Sequence, residues 1–282
     1  SEFVSQKCKD AIVDQFRERT GQRPSIDKAF PDLRINVHIG KDQVSVALDT
    51  SGNSLHQRGY RTATNIAPIN EVLAAGILLL SGWEGQGHFL DPMCGSGTFL
   101  AEAAMIVFNI TDKINRKEFA FEKWKDWDND LFDQIMDSLL KKVKEFHYTI
   151  TGYDKAPSAV QKAKDNIKNA NLDEYVKVVE ENFFDTQKTT EGKLHMVFNP
   201  PYDERLDIHM EEFYKNIGDT LKKNYPGTNA WFITANLDAL KFVGLKPSRK
   251  IKLFNASLEA RLVKYEMYEG SKRTKFQTEN KE

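Results

Sequence analysis

Residues Phe89–Thr98 read Phe-Leu-Asp-Pro-Met-Cys-Gly-Ser-Gly-Thr, and this stretch decides the predicted fold. It follows a predicted strand over 88–91 and opens a predicted helix over 98–108, which is where a doubly wound sheet binds its ligands. Gly95 and Gly97 allow a sharp turn and a close approach of the backbone to a ligand. A glycine turn that only packs a helix on a sheet explains the stretch equally well, so its surroundings have to decide.

Two phosphate-binding motifs are excluded by the residues that follow the glycines. A dinucleotide fingerprint needs a third glycine where Leu100 stands, and the Gly-Lys-Ser/Thr end of a P-loop is absent. A nucleoside cofactor that carries a carboxylate and an ammonium group fits better. Asp91 can attract the ammonium, and the amides at the start of the helix can receive the carboxylate.

The pattern on either side of this loop predicts alternating helices and strands, which build a parallel sheet covered on both faces. The last two strands are connected by residues 255–259, a segment too short for a crossover helix, so they should pair antiparallel. The predicted fold class is therefore α/β, a doubly wound Rossmann-like sheet with an antiparallel final strand. The predicted helices cover 68–80, 98–108, 157–170 and 209–222, and the predicted strands cover 88–91, 148–153, 176–179, 194–198, 230–234, 250–254 and 261–268.

The amino-terminal residues predict a separate, small α+β subdomain. Apolar residues at helical spacing over 4–16 predict a helix. Two alternating stretches over 34–39 and 44–48 predict a β-hairpin. We therefore expect a small subdomain with its linker over 1–61 and a larger domain over 62–282.

Residues from about 109 to 147 interrupt the alternation as an insertion. They include the aromatic segment Trp124–Trp127 and an amphipathic helix whose apolar residues run from Leu131 to Val143. We expect this apolar face to be part of the core, because periodic apolar residues on a helix more often pack inside a protein than line a groove.

Composition describes an ordinary globular chain and names no function. Of the 282 residues, 40% are hydrophobic and 29% are charged. The longest apolar run, Val72–Leu80, is less than half of the ~20 residues that a membrane span needs, and no signal-like segment opens the chain. We expect a cytoplasmic protein that does not bind membranes. Cys8 and Cys94 lack CxxC spacing and nearby histidine pairs, so neither a disulfide framework nor a metal site is predicted.

Net charge gives no general attraction to nucleic acid. The formal charge of the chain is −1, so local basic patches would have to supply that attraction. The clearest patch is 241–252, which holds five lysines and arginines and no acidic residue. A solvated face and a phosphate-contacting surface both explain this run, and both interpretations stay open.

Two more predicted strands end in polar residues at the same sheet edge as the glycine loop. Asp154 is placed to chelate two ribose hydroxyls, as the acid after the glycines does in the dinucleotide fold. Asn182 can accept a hydrogen bond from an adenine amino group, and the ring of Phe183 can cover the base. Asp and Asn are also common turn residues, so a plain turn is the alternative at each position.

The tetrapeptide Asn199-Pro200-Pro201-Tyr202 follows the next predicted strand and carries the most specific chemistry. Its two prolines make the backbone rigid. The Asn199 side-chain oxygen and the Pro200 carbonyl can accept the two hydrogens of a planar amino group, which directs the nitrogen lone pair towards a methyl donor. Tyr202 can stack on the base. No cysteine lies near this motif, so covalent attack on a pyrimidine ring is not expected, and Cys94 is interpreted as a packing residue.

With these residues in place, the chain resembles the class I S-adenosylmethionine-dependent methyltransferases that carry an Asn/Asp-Pro-Pro-Tyr motif. Within that class it is similar to the THUMP-linked rRNA guanine-N2 methyltransferases of the large ribosomal subunit, which are also labelled adenine-specific DNA methylases. The resemblance covers nearly the whole chain. Besides the motifs above, it is carried by Leu48–Gly52, Leu55-His56, Arg58–Arg61, Ala67–Ala75 and Leu253–Glu259.

The resemblance implies S-adenosyl-L-methionine as the cofactor and a role for each motif. Asn182 stands where that family more often has an aspartate; an amide still accepts from the adenine amine, so the departure bears on affinity alone. Catalysis would depend on positioning and electrostatics. Asp91, Pro92, Gly95, Gly97 and Thr98 would hold the methionine end of the cofactor, Asp154 the ribose, Asn182 with Phe183 the adenine, and Asn199, Pro200, Pro201 and Tyr202 the target amine.

The resemblance also implies a substrate and a partner. We expect methylation of an exocyclic amine in RNA, at guanine N2 of large-subunit (23S) ribosomal RNA. Residues 1–61 resemble the final part of a THUMP RNA-binding domain, so this chain alone should capture RNA weakly. A DNA adenine-N6 methyltransferase and a non-catalytic RNA-binding assembly factor are the alternatives. The linker Arg58–Arg61 and the partial domain before it favour RNA over DNA. The intact tetrapeptide and the glycine loop argue against the assembly factor, and the oligomeric state stays open.

Overall fold

A computed structural model describes residues 2–62, 69–111, 116–201 and 209–268. The chain divides into two compact units, one of residues 1–55 with 117–132 and one of residues 56–116 with 133–282. The first unit is a small α+β structure. The second is an α/β structure built on a seven-stranded sheet within the described ranges.

The first unit contains the helix and the hairpin that the sequence predicts. Helix α1 spans Glu2–Thr20, and strands β1 (Arg34–Gly40) and β2 (Gln43–Asp49) pair antiparallel. The hairpin turn places Lys41 at a positive φ of 50°. Both predicted elements of this unit are confirmed.

Part of the insertion belongs to the first unit. The backbone N–H groups of Ala120 and Phe121 donate to the carbonyl oxygens of Ser51 (3.3 Å) and Thr50 (3.2 Å). A Cβ added at Gly52, where φ is +77°, would lie 3.1 Å from the Cβ of Ala120, so a side chain there would disturb this contact. The predicted larger domain, 62–282, includes residues 117–132, which the structure groups with the first unit. Periodicity could not separate them, because a contact between distant stretches of the chain leaves no periodic signal. The domain boundary itself remains a prediction.

Helix α4, Asn129–Leu140, corrects one expectation about the insertion. None of its residues is buried, and the side chains of Leu131 and Ile135 are about half exposed. The prediction that this apolar face is part of the core is therefore wrong. Helical spacing of apolar residues indicates an amphipathic helix, but it does not indicate whether another element covers the apolar face.

The sheet of the second unit has the strand order β5-β4-β3-β6-β7-β9-β8. Strands β3 to β7 run parallel, and β9 pairs antiparallel with both β7 and β8, as the short final connection predicts. The doubly wound sheet with its antiparallel ending is confirmed. Its elements are α2 (Glu71–Leu80), β3 (His88–Asp91), α3 (Thr98–Phe108), β4 (Ile150–Asp154), α5 (Pro157–Asn169), β5 (Val176–Glu180), β6 (Leu194–Phe198), α6 (Met210–Asn224), β7 (Thr228–Thr234), β8 (Arg249–Asn255) and β9 (Leu258–Glu266).

Two apolar layers cover the sheet, one on each face. One contains Trp231 and Leu262 together with residues of α2, α3 and α5, and the other contains Phe232 and Val263 together with residues of α6. Every residue of β6 is buried, because a central parallel strand is covered on both sides. The helices thus leave the carboxyl edge of the sheet as the place where polar side chains gather.

Two kinds of feature are absent from the described ranges. No helix there is long and apolar enough to cross a membrane. No group of three or more His, Cys, Asp or Glu residues there is arranged to hold a metal ion. Cys8, half-buried, and Cys94, buried, are both free thiols.

His195, in the middle of the sheet, is a buried neutral histidine. Its Nε2 lies 2.8 Å from the hydroxyl oxygen of Ser81, and that hydroxyl donates to the carbonyl of Leu78 at 2.7 Å. Because the only hydroxyl hydrogen is used, Nε2–H of His195 must be the donor to Ser81. Burial, with a smaller contribution from Lys264, lowers the pKa of His195 to about 4.

We expect His195 to make the protein less stable in acid. The unfolded chain takes up a proton near pH ~6.5, whereas the folded protein does so only near the lowered pKa, so stability is lost as the pH falls between these values. The full effect is on the order of 3 kcal/mol. Urea unfolding of the wild type and of His195→Asn at several pH values measures it. Parallel pH profiles for the two proteins would contradict the assignment.

Candidate functional site

The glycine loop joins β3 to α3 with two residues in the left-handed region. Gly95 has φ +54°, and Gly97, the N-cap of α3, has φ +82°. The N–H of Gly97 donates to the carbonyl of Cys94 at 2.8 Å. A Cβ at Gly97 would lie 3.3 Å from the Cβ of Ala163, so this glycine also lets α3 pack closely on α5. The packing interpretation of the loop is therefore confirmed, and the ligand-binding interpretation remains a prediction.

Asp91, the last residue of β3, is a buried carboxyl with no basic partner among the described residues. It is 2% exposed, and its Oδ1 accepts a hydrogen bond from the N–H of Met93 at 3.1 Å. Burial raises its pKa well above the usual range, the Met93 bond opposes that shift, and the nearby carboxylate of Asp154 adds to it. A cationic ligand group at this position would relieve the unfavourable burial of the ionised form.

Asp154, at the end of β4, ties two loops of the sheet edge together. Its Oδ2 accepts from the N–H of Gly95 and its Oδ1 accepts from the N–H of Ala156, both at 3.0 Å. Each carboxylate oxygen accepts about two hydrogen bonds, so both retain capacity for ribose hydroxyls. Asp154 therefore orders the glycine loop in addition to its predicted role, which stays a prediction.

Asn182 and Phe183 follow β5, and the two side chains lie in different surroundings. The amide of Asn182 is used locally, since Nδ2 donates to Oδ2 of Asp185 at 2.7 Å and Oδ1 accepts from the N–H of Phe184 at 3.4 Å. The ring of Phe183 is 2% exposed and packs on Phe198. Phe184 is only half-buried. The predicted adenine contacts of Asn182 and Phe183 remain predictions.

Asn199 lies directly after β6, beside the strand that ends in Asp91. The register pairs Leu90 with Met196, so these parallel strands finish at the same edge of the sheet. Oδ1 of Asn199 is buried and has no hydrogen-bond partner within the described ranges. Pro200 is buried and Pro201 is half-buried, whereas Tyr202 lies outside the described residues. A buried acceptor without a partner is uncommon in native structures and calls for an explanation.

Arg61 holds Thr98 at the start of α3. Its Nη2 donates to the hydroxyl oxygen of Thr98 at 2.6 Å and to the carbonyl of Ile69 at 3.1 Å, and its Nε lies 3.1 Å from Oε1 of Glu71. Thr98 is itself buried. The sequence predicts that Thr98 contacts a ligand, and it gives no sign that an arginine of the linker already binds the hydroxyl.

Arg58, the other arginine of the linker, is held by an internal acid. Its Nε and Nη2 donate to the two carboxylate oxygens of Glu102, both at 3.2 Å, and the hydroxyl of Tyr60 donates to Oε1 at 3.4 Å. Burial raises the pKa of Glu102, and Arg58 opposes that shift. The sequence analysis takes the linker Arg58–Arg61 as favouring RNA over DNA, and the structure shows both of its arginines in internal ion pairs.

Asn166 of α5 is a positioning residue that sequence reasoning missed. It is fully buried, its Nδ2 donates to the carbonyl of Ser96 in the glycine loop at 3.0 Å, and its Oδ1 accepts from the N–H of Thr62 at 3.1 Å. The residue thus joins the loop to the linker. A signal existed: Asn166 occupies the buried face of the helix with Ala159 and Ala163, and a buried amide must be hydrogen-bonded.

Cys94 is a packing residue, as the sequence indicates. Burial raises the pKa of its thiol well above the usual range, so the thiol stays protonated. A Cβ added at Gly152 would come within 3.1 Å of both Cβ and Sγ of Cys94, and closer still to Leu100. The lack of a side chain at Gly152 therefore makes room for the glycine loop.

The strand order, the antiparallel ending, the glycine loop after β3 and the Asn-Pro-Pro segment after β6 define a class I methyltransferase fold. The chain belongs to the RMKL-like methyltransferase family, whose domain model (UPF0020) matches residues 58–264. Residues 1–49 match the model of the THUMP domain. The family-level resemblance inferred from the sequence is confirmed.

Relatives and solved structures agree with this membership. Ribosomal RNA large subunit methyltransferase K/L of Syntrophotalea carbinolica is 36% identical over 95% of this chain, which spans only 39% of that relative's length. The crystal structure of SMU.472 complexed with SAH has a TM-score of 0.82 and 34% identity over 93% of this chain and 70% of its own. A predicted N6-adenine-specific DNA methylase from Listeria monocytogenes has a TM-score of 0.81 and 30% identity over 92% of this chain and 67% of its own.

Proposed function

We propose that this chain transfers a methyl group from S-adenosyl-L-methionine to an exocyclic amine of a base in RNA. The target that fits best is guanine N2 of large-subunit ribosomal RNA. The single observation that carries the proposal is the buried Oδ1 of Asn199, which lacks a partner within the described ranges and lies at the sheet edge beside Asp91. A target amine would supply the missing hydrogen bond.

The residues at the edge fit the proposed cofactor. The buried Asp91 carboxyl has no cationic partner among the described residues, and the ammonium of the methionine end would provide one. The first amides of α3 have no acceptor within the helix and can receive a carboxylate. Asp154 has acceptor capacity left for the ribose hydroxyls. When bound, the cofactor supplies an electrophilic methyl group.

Asn199 and Pro200 would act on the target nitrogen by position. Two acceptors for the two N–H hydrogens draw the nitrogen lone pair out of conjugation with the ring, which makes the nitrogen a better nucleophile. Such acceptors help most when the nitrogen becomes positively charged in the transition state. Tyr202 would hold the base flat by stacking. No obligatory strong base is needed, since the charge that develops on the nitrogen makes its protons acidic.

RNA is favoured over DNA by the THUMP match at residues 1–49 and by the name of the Syntrophotalea relative. The name of the Listeria structure keeps adenine N6 in DNA as the second candidate. Arg58 and Arg61 are held in internal ion pairs, so the linker does not offer exposed cations to RNA. An rRNA-modifying role would place the protein in the cytoplasm.

The test is to identify the methylated nucleoside. Labelled cofactor is incubated with the protein and with large-subunit ribosomal RNA or duplex DNA, and the product is digested to nucleosides. N2-methylguanosine from RNA is the expected product. N6-methyldeoxyadenosine from DNA would replace the proposal by its alternative, and transfer to neither substrate would overturn it.

We expect Asp154→Ala to weaken cofactor binding by on the order of 1–3 kcal/mol, because ribose hydroxyls and the amide of Gly95 lose their acceptor. Asp154→Asn keeps one acceptor oxygen and should lose less. Isothermal titration calorimetry with S-adenosyl-L-methionine measures both variants. Binding unchanged in Asp154→Ala would defeat the assignment of this carboxylate.

A further inference from the structure

The edge strand β8 exposes one face that combines cations with an aromatic ring. Lys250, Lys252 and Phe254 are exposed along this face, while Ile251 and Leu253 alternate with them and pack against the core. The ring of Phe254 is 57% exposed. We call Lys250, Lys252 and Phe254 the hairpin surface, because they lead into the turn between β8 and β9.

The hairpin surface lies at the same edge of the sheet as Asn199. Strand β8 runs in the same direction as β6, because both β7 and β8 pair antiparallel with β9 and β6 runs parallel to β7. Across the register, Phe198 pairs with Phe232, Phe232 with Val263 and Val263 with Lys250. Three strand spacings of ~4.8 Å place Lys250 roughly 14 Å from the end of β6. From there the strand carries Phe254 further in the carboxyl direction.

The charges on this face have a positive balance. Lys252 and Arg261 both pair with Glu259, Arg261 at 2.7 Å, so two cations share one carboxylate. Nζ of Lys252 also lies 5.4 Å from the centre of the Phe254 ring. With Lys250 added, the face carries three cations against one acid, although the whole chain has a net charge of −1. The local charge is therefore opposite in sign to that of the chain.

An exposed aromatic ring flanked by lysines has the chemistry that binds single-stranded nucleic acid. Bases stack on aromatic side chains whatever their sequence, and lysines neutralise the neighbouring phosphates. A single exposed phenylalanine is ordinary on a protein surface. Here its position at the same edge of the sheet as the proposed site and its positive surroundings indicate a nucleic-acid partner.

We propose that the hairpin surface binds the RNA strand next to the target nucleotide. An unpaired base stacks on Phe254, and adjacent phosphates contact Lys250 and Lys252. This proposal rests on the proposed function, because it names the surface that would present RNA to Asn199. For the last part of the basic run 241–252, the proposal favours a phosphate-contacting surface over a solvated face.

The experiment compares three variants with the wild type. Lys250→Gln/Lys252→Gln removes the cations, and Phe254→Ala removes the ring, while Phe254→Leu keeps apolar bulk without a stacking face. The matched control is Lys222→Gln/Lys223→Gln. It removes two exposed lysines from the last turn of α6, away from the hairpin surface. The probe is a labelled single-stranded RNA of about 16 nucleotides, titrated at several salt concentrations. Methyl transfer to ribosomal RNA and cofactor affinity are measured on the same proteins.

We expect Phe254→Ala to weaken RNA binding about tenfold or more, and Phe254→Leu to do so nearly as much. The double lysine variant should bind RNA more weakly. Its plot of log K against log salt concentration should be shallower by about 1.4, because two phosphate contacts to a single strand are lost. The control variant and all cofactor affinities should stay at wild-type values. If the hairpin variants bind RNA with the affinity and the salt dependence of the wild type, and RNA methylation is intact, this proposal alone is overturned. Absence of RNA binding and of RNA methylation in the wild type would overturn the proposed function as well.

Discussion

Asn199→Ala should lower methyl transfer by roughly 100- to 1000-fold, the usual effect of removing one positioned group that stabilises developing charge. Cofactor affinity should change little, because the side-chain oxygen of Asn199 makes no hydrogen bond to the described residues of the cofactor loop. The loss should appear in kcat and kcat/KM together, since the interaction forms with the transition state. Single-turnover assays with labelled cofactor, paired with calorimetry, measure the two effects separately.

Asn199→Asp is the matched control for this prediction. It preserves the shape and an acceptor oxygen, so it should retain far more activity than Asn199→Ala. The free energy of unfolding of Asn199→Ala should be unchanged or higher, because the substitution removes a buried acceptor that has no partner within the described ranges. Turnover near the wild-type rate in Asn199→Ala would show that the side chain does not act on the amine.

The sheet was predictable because its local patterns agree with its packing. Strand β6 is a short apolar run buried on both faces, and β3 and α3 meet at a glycine loop, so the predicted bounds of these elements match the structure. The antiparallel ending followed from the length of one connection. Each of these features is written in contiguous residues, which sequence patterns can report.

Long-range polar contacts were not predictable in the same way. The pairing of Arg61 with Thr98 and of Asn166 with Ser96 joins residues that are distant in the chain, and no local period marks them. Likewise, an aromatic residue after a strand looks the same whether its ring covers a ligand or is buried, as Phe183 is. The sequence therefore predicts the strand ends at which polar side chains gather, and it does not reveal the hydrogen bonds that hold them.

Asp91→Asn should have opposite effects on cofactor binding and on stability. The variant cannot pair with the ammonium of the cofactor, and losing one partner of a buried charge pair costs about 2–4 kcal/mol, roughly 30- to 1000-fold in affinity. The cofactor-free protein should instead become more stable. Asp91 is buried without a cation among the described residues, and Asp154 raises its pKa further, so its ionised form destabilises the fold.

The direction of the pH dependence follows from the raised pKa of Asp91. A carboxyl whose pKa is higher in the folded state stabilises the fold most where it is protonated, below its unfolded value of ~3.9, and that stability is lost as the pH rises through the folded value. The stability gain of Asp91→Asn should therefore be absent in acid and should grow as the pH rises through the raised pKa of the folded state.

Urea unfolding without cofactor and calorimetry with S-adenosyl-L-methionine, both over a range of pH, test this prediction. Asp173→Asn is the control, because it removes the same charge from an exposed residue that precedes β5 at the opposite edge of the sheet. Wild-type cofactor affinity should fall in acid as Asp91 takes up a proton, and the affinity of Asp91→Asn should not follow that fall. If Asp91→Asn binds the cofactor as tightly as the wild type, the ammonium is held elsewhere. The buried carboxyl would then destabilise the fold without contributing to cofactor binding.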